Sequence, residues 1–135
     1  MAVTRTRAAL SVQHERRGAA QVTATLGLEP TDSFEVGDAY ARDTLTRDHS
    51  HWSLESPSTD AAVGAQLRAL YDVLSSRRQA LESLVAQGFA LTWTCFVAED
   101  AGDGAVLLEV SLLRDLATLP IDLWVDSFAD GEQPA

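Results

Sequence analysis

The sequence predicts an α+β fold, a two-layer sandwich with helices on one face of a mixed, mainly antiparallel sheet. Several segments alternate apolar and polar residues with the period of two that is typical of strands. Other segments carry leucines at helical spacing, and leucine stripes on several helices need a common sheet face to cover. Because no linker is long enough to divide the chain, residues 1–128 are predicted to form one domain and residues 129–135 a flexible polar tail.

The first part of the chain predicts a strand, a short helix and two short strands. Residues 4–13 alternate as in a strand with one buried face. Helical spacing follows over residues 19–26, and Gly27 stands where a left-handed C-cap ends a helix. Short strands are expected at residues 34–36, before a Gly-Asp turn, and at residues 52–54.

Residues 63–74 predict the longest helix, because their valine and leucines form one apolar stripe. The N-cap candidates of this helix are Ser58, Thr59 and Asp60. Two arginines at residues 77–78 interrupt the stripe, and the serines at residues 75–76 are candidates to cap a second, shorter helix. A break is therefore expected before that helix, which ends at Gly88. Residues 89–97 then predict the clearest strand, with leucine, tryptophan, cysteine and valine on one face.

The last third of the chain predicts a hairpin, a helix and a final strand. The acidic, glycine-bearing residues 99–104 are expected to turn the chain into a partner strand at residues 105–110. Ser111 is predicted to cap a short helix that Pro120 closes. Residues 121–126 alternate and predict a strand with one wet face. The resulting order of strands and helices fits a ferredoxin-like arrangement of split βαβ units.

Three motifs in this order resemble a known family. They are ATLGLEPT at residues 24–31, the Gly-Asp pair at residues 37–38 and the Trp-x-Leu strand at residues 52–54. The chain resembles, over nearly its whole length, the bacterial family named domain of unknown function 4279. It departs from the pattern at residues 75–76, where a proline often stands, and at residues 14–16, which lack an acidic helix cap. The resemblance implies the fold and carries no activity.

These motifs have two interpretations. In the first they are architectural: Gly27 ends a helix, Pro30 fixes a turn, Gly37 permits a tight bend and Trp52 fills the core. In the second, the turn and residues 37–51 form one rim of a binding groove.

The charge balance limits the classes of partner. The formal net charge is −10, and such a surface repels a nucleic-acid backbone while accelerating the approach of a basic protein. All ten basic residues are arginine, so lysine Schiff-base and Walker-type phosphate chemistry are excluded. No apolar run is long enough to span a membrane and no signal-peptide core is present, which together with a single cysteine predicts a cytoplasmic protein without a membrane partner.

The residues that could act in catalysis or bind a metal form no catalytic constellation, and the sequence predicts no cofactor and no metal. His49 and His51 form an H-x-H pair that becomes a metal site only with a third ligand. The third-ligand candidates are Asp48, Asp43 and the distant His14. The alternative is two exposed loop histidines beside a core tryptophan. Cys95 lies on an apolar strand face, where a thiol behaves as a small hydrophobe.

Two functional hypotheses follow. The first is a non-catalytic protein-binding module, of an immunity or antitoxin type, that binds a basic protein. Its partner-binding candidates are the acidic residues Glu99, Asp100, Asp103, Asp122 and Asp126. The alternative is a small-molecule-binding or enzymatic module that uses the loop of residues 40–52. Its ligand-binding candidates are His49, His51 and Trp52.

Overall fold

The structure is a computed structural model that describes residues 6–40, 45–98 and 106–128. Five strands and four α-helices follow one another in these ranges. In chain order they are β1 (Arg7–His14), α1 (Ala19–Leu26), β2 (Asp32–Phe34), β3 (Ser50–Glu55), α2 (Val63–Leu74), α3 (Arg78–Ala86), β4 (Ala90–Ala98), α4 (Val110–Leu116) and β5 (Asp122–Phe128). The predicted turn at residues 99–104 and the predicted tail at residues 129–135 lie outside the described residues.

The strands form one sheet in the order β2-β3-β1-β4-β5. All neighbours are antiparallel except β4 and β5, which run parallel. Because β3 and β4 are each antiparallel to the β1 strand between them, the connection from β3 through α2 and α3 to β4 is a split βαβ unit. The connection from β4 through α4 to β5 is a second βαβ unit between adjacent strands. The predicted α+β sandwich with a mixed, mainly antiparallel sheet is confirmed.

The core lies between one face of the sheet and the helices. On β1 and β4 the predicted alternation is confirmed, since Leu10, Val12, Trp93 and Cys95 are almost fully buried. Trp52 fills the same layer from β3. The leucine stripe of α2 is also buried, and α1 and α2 pack over β1, β3 and β4. Each large apolar side chain buried in this way contributes on the order of 2 kcal/mol.

The predicted strand at residues 105–110 is wrong. Residues 106–109 are irregular, and Val110 is the first residue of α4. The physical reason is that β4 has two edges, and β1 and β5 occupy them both, so a hairpin partner has no edge to pair with.

The helix caps also differ from the prediction. The N-cap residue of α2 is Ala62. The Asp60 carboxylate accepts a hydrogen bond from the Ala62 N–H at 2.8 Å, and because this donor lies before the first helical residue, Asp60 does not cap the helix. Glu109 takes the N-cap of α4, which places Ser111 inside the helix. The predicted break after α2 is confirmed as a 3₁₀ turn at Ser75–Arg77, although Arg77 rather than a serine precedes α3.

Glu35 caps helix α1 from the other side of the turn. Its Oε1 accepts a hydrogen bond from the Ala19 N–H at 2.6 Å, and its Oε2 accepts one from the Ala20 N–H at 3.0 Å. A carboxylate at this end of a helix also compensates the helix dipole. The acidic cap that seemed to be missing from residues 14–16 is therefore supplied by a residue distant in sequence.

The Gly37-Asp38 motif holds Glu35 in this position. Asp38 accepts a hydrogen bond from the Glu35 N–H at 2.8 Å, and its own N–H donates to the Glu35 carbonyl. Gly37 adopts φ +89°, which side chains other than glycine rarely tolerate. A Cβ on Gly18 would lie 2.7 Å from Glu35 Oε1, so the helix N-cap must stay small. These contacts give the motif an architectural role.

Candidate functional site

The sheet face opposite the helices carries the candidate site and is called the open face. It presents the odd-numbered residues of β1 and β3 and the even-numbered residues of β2, β4 and β5. Small side chains occupy its centre, where Ser11 lies between Ser53 and Thr92 and its hydroxyl contacts the Thr94 hydroxyl at 2.9 Å. Larger side chains stand at the two ends. The result is a shallow groove of about 770 Å³ across the sheet.

One end of the groove is acidic and aromatic. Asp122, Trp124 and Asp126 point to the open face from β5, and they are called the acidic–aromatic strip. The Trp124 ring packs edge-on against Phe96 with the centroids 5.6 Å apart, and 48% of the residue remains exposed. Neither aspartate forms an ion pair or a side-chain hydrogen bond with any residue in the described ranges. The strip therefore presents an exposed ring between two uncompensated carboxylates.

The sequence predicted one wet face for β5, but the face on the helix side of the sheet is exposed as well. Leu123 and Val125 are on the helix side of the sheet, yet they are 40% and 41% exposed. The reason is that β5 is an edge strand and the helices pack over β1, β3 and β4. Both faces of β5 are thus accessible to solvent.

The opposite end of the groove is aromatic and contains His51. Its ring stacks on Phe34 with the centroids 5.3 Å apart, and its Nδ1 lies 3.2 Å from Nε2 of Gln13. The guanidinium of Arg47 lies 4.0 Å from the centroid of the Phe34 ring and 3.8 Å from that of Tyr40. Of these residues, His51 and Gln13 line the groove itself.

Burial lowers the pKa of the His51 imidazole below its ordinary value of 6.5, and the nearby Asp32 carboxylate opposes this effect only in part. The unfolded chain therefore binds the His51 proton more readily than the folded chain, so folded-state stability falls as the pH falls below about 6.5. We expect His51→Gln to remove this contribution to the pH dependence of the free energy of unfolding. In urea titrations, the stability difference between wild type and variant should become less favourable to wild type between pH 7.5 and pH 5.5. A difference that is constant with pH would contradict it.

Both histidines of the H-x-H pair lie against the same aromatic ring. His49 and His51 both contact Phe34, and His49 Nδ1 lies 2.7 Å from the Asp48 carboxylate. In the described part of the chain no group of three or more His, Cys, Asp or Glu side chains is positioned to hold a metal ion. Asp43, a third-ligand candidate, lies outside the described residues.

His14 has a separate role at the end of β1. Its Nδ1 accepts hydrogen bonds from the backbone N–H groups of Arg16 and Arg17, both at 2.9 Å, and its Nε2 lies 3.1 Å from the Gln87 carbonyl. Nδ1 thus has its partners in the turn that leads into α1, and Nε2 has its partner at the C-terminal end of α3. His14 stands opposite Ser50 in the β1–β3 ladder and lines one cleft with Asp48 and His49. Within the described ranges these side chains are nevertheless not positioned to hold a metal ion together.

Trp52, the third ligand-binding candidate, is in the core. Its side chain is fully buried on the helix side of β3, and its Nε1–H donates to the Thr23 hydroxyl at 3.0 Å. Adjacent residues of a strand point to opposite faces, so Trp52 and His51 do not share a surface.

Cys95 is also on the helix side, with no exposed surface. Burial raises the pKa of its thiol to about 11, which keeps it protonated at neutral pH. A nucleophilic role would require a thiolate beside a base. The structure instead separates Cys95 and His51 onto opposite faces of the sheet.

The structure places two of the partner-binding candidates, Asp122 and Asp126, on the same face of β5. The other three, Glu99, Asp100 and Asp103, lie outside the described residues. Sequence reasoning missed Trp124 as a site residue. The signal was present, because Trp124 lies two residues from each aspartate and so shares the wet face of the predicted strand, where a large aromatic side chain is unusual.

Among the described residues, no helix is long and apolar enough to cross a membrane.

The comparisons with known proteins agree with the sequence motifs. Neither the curated proteins nor the solved structures contain a match to this chain. The model of one family matches residues 4–129, which is nearly the whole chain. The chain therefore belongs to the family described as Domain of unknown function (DUF4279).

Proposed function

We propose that this protein is a non-catalytic binding module for a basic protein, and that the acidic–aromatic strip is its docking site. The observation that supports the proposal is the exposed Trp124 ring between two carboxylates, Asp122 and Asp126, that have no ion-pair partner among the described residues. An arginine or lysine side chain placed over this ring gains a cation–π interaction and a charge-assisted hydrogen bond at the same time.

The charge of the whole chain acts in the same direction. A net charge of −10 attracts a basic protein over distances of about 8 Å at physiological salt, before any contact forms. Such steering raises the rate of association, while the ring and the two carboxylates of the strip supply the local contact. Affinity for the partner should therefore depend steeply on salt.

The described side chains favour binding over catalysis. The nucleophile candidate Cys95 is buried on the helix side, whereas His51 is on the open face and His14 has partners at both ring nitrogens. The position of each of these side chains is explained by packing or by hydrogen bonds within the fold.

A basic partner of this kind would be an effector with a cationic active site. Masking such a site is how an acidic immunity- or antitoxin-like protein acts, and we propose this role, in the cytoplasm, for the chain.

The experiment is an affinity capture of partners by the tagged protein at low and high salt, followed by binding measurements with the purified partner. Asp122→Asn/Asp126→Asn and Trp124→Ala should each weaken binding by about tenfold or more. The matched control is Glu29→Gln/Asp72→Asn, which removes two exposed carboxylates away from the strip. It should weaken binding by about threefold or less, because it changes only long-range attraction.

Two outcomes would contradict the proposal. One is a partner whose capture does not depend on salt. The other is a partner whose affinity falls equally in the strip variant and in the control, since the strip would then act only through its charge.

A second candidate function is the binding of a small molecule in the groove of the open face. Its volume of about 770 Å³ favours this candidate, because ligand pockets typically measure about 300 to 1,000 Å³. A thermal-shift screen with common metabolites and divalent metals tests it. A ligand at 100 times its dissociation constant should stabilise the fold by about 2.7 kcal/mol, and Ser11→Leu, which fills the floor of the groove, should abolish the shift.

A further inference from the structure

We propose that the basic partner docks by adding a β-strand to the free edge of β5, and that the added segment alternates basic and apolar residues. This inference rests on the proposed function, because it specifies how the partner of the acidic–aromatic strip is held. It commits to one occupant, an extended segment of a basic protein.

The first argument is the edge itself. β5 is the last strand of the sheet, and within the described ranges its ladder is with β4 alone. Seven consecutive residues of β5 pair with β4 without a bulge, and none of them is proline. Edge strands that avoid pairing usually carry bulges, proline or charged side chains. The charged residues of β5 are both acidic, so they disfavour the addition of an acidic strand and not of a basic one. The other edge strand, β2, has only three residues and offers a much shorter ladder.

The second argument is that both faces of β5 are accessible. Trp124 is 48% exposed on the open face, and Leu123 and Val125 are 40% and 41% exposed on the helix side. An added strand places its alternate side chains beside these two sets. Basic side chains would then lie beside the carboxylates and the indole, and apolar side chains would cover Leu123 and Val125.

The third argument is charge, which distinguishes a basic partner from a second copy of this chain. Two copies would each carry a net charge of −10 into the contact. In an antiparallel pairing centred on Trp124, Asp122 would stand opposite Asp126 of the other copy, and like charges directly opposite are destabilising. A basic segment meets the same carboxylates with opposite charge.

The test uses synthetic peptides of about nine residues, which match a strand of seven residues and its ends. The parent peptide alternates arginine and valine. Two derivatives carry N-methyl groups on either the odd-numbered or the even-numbered residues, so that each blocks the backbone donors on one edge only. A fourth peptide has the same composition with its arginines grouped together. Binding to the full chain is measured by calorimetry at about 150 mM salt.

Strand addition predicts that one N-methylated peptide loses affinity by about tenfold or more, while the other binds like the parent. The grouped peptide should bind more weakly than the parent, although its charge is the same. Hydrogen exchange of residues 122–128 should slow in the complex with the parent peptide. This slowing would distinguish a new ladder from a contact made by side chains alone.

The outcomes separate the two proposals. If both N-methylated peptides bind like the parent, strand addition is overturned and the proposed function stands as side-chain docking. If no basic peptide binds and the strip variant captures its partner as the wild type does, the proposed function itself fails. A chain that is dimeric without peptide, with residues 122–128 already protected, would assign the edge to a second copy and overturn the inference.

Discussion

Gln66→Met is expected to lower the free energy of unfolding by about 3 kcal/mol, which corresponds to a fall of about 10 °C in the melting temperature. The Gln66 side chain is buried under the start of β1. Its Oε1 accepts a hydrogen bond from the Ala8 N–H, and its Nε2–H donates to the carbonyls of Thr6 and Asp60, all at 2.8 Å. Methionine keeps the volume and the helix propensity but makes none of these bonds.

The loss should be large because, within the described part of the chain, these backbone groups have no other hydrogen-bond partner. The Ala8 N–H is buried, and a buried donor without an acceptor costs about 1 to 3 kcal/mol. The control is Gln79→Met on the exposed surface of α3, which should change stability by about 0.5 kcal/mol or less. Equal effects of the two substitutions in chemical denaturation would show that the Gln66 contacts contribute nothing specific.

Glu35→Ala is expected to cost about 2 kcal/mol, since it removes both acceptors from the N-terminus of α1 and a charge that compensates its dipole. Glu29→Ala is the matched control, because Glu29 is exposed and caps nothing among the described residues. Urea unfolding of the two variants measures the difference.

A second substitution makes the test of Glu35 specific. Gly18 is the N-cap of α1, and its extended backbone suits a serine, but a Cβ there would lie 2.7 Å from Glu35 Oε1. Gly18→Ser should therefore destabilise the wild type and partly rescue Glu35→Ala by supplying a local cap. Additive effects of the two substitutions would contradict a direct contact between these positions.

Local periodicity was enough to predict most of the fold. The alternation in β1 and β4 and the leucine stripe of α2 each reflect one buried face, so the pattern and the environment agree. The predicted strand at residues 105–110 shows where this reasoning fails. Its pattern was short, and whether it could pair depended on which edges of β4 were already occupied. That information is in the sheet order and not in the segment itself.

The caps illustrate the same limit. Local sequence pointed to serine, threonine or aspartate N-caps for α2, α3 and α4, and the residues at these N-caps are instead Ala62, Arg77 and Glu109. Helix α1 is capped by Glu35, sixteen residues beyond Ala19. Gln66 did carry a local signal. It lies three residues after Val63 and four before Leu70, within the apolar stripe of α2, and a polar residue in that position needs buried partners.

For the candidate site, the sequence predicted the acidic face of β5 but not the exposure of the opposite face. The alternation placed Asp122 and Asp126 together, whereas the exposure of Leu123 and Val125 follows from the edge position of β5 and from helices that pack over other strands. His51 and Trp52 were grouped because they are adjacent in sequence. The pleat of the strand separates them onto opposite faces.

The most direct test of the central claim follows the three indole N–H signals in two-dimensional ¹H–¹⁵N spectra while the captured basic partner is added. Trp52 and Trp93 are fully buried in the core, and Trp124 is 48% exposed on the strip, so the chain contains one surface reporter and two internal controls. Trp124→Phe assigns the reporter signal. Docking on the strip predicts that the Trp124 signal shifts with the partner while those of Trp52 and Trp93 remain in place. A saturated complex in which the Trp124 signal does not move would contradict the account.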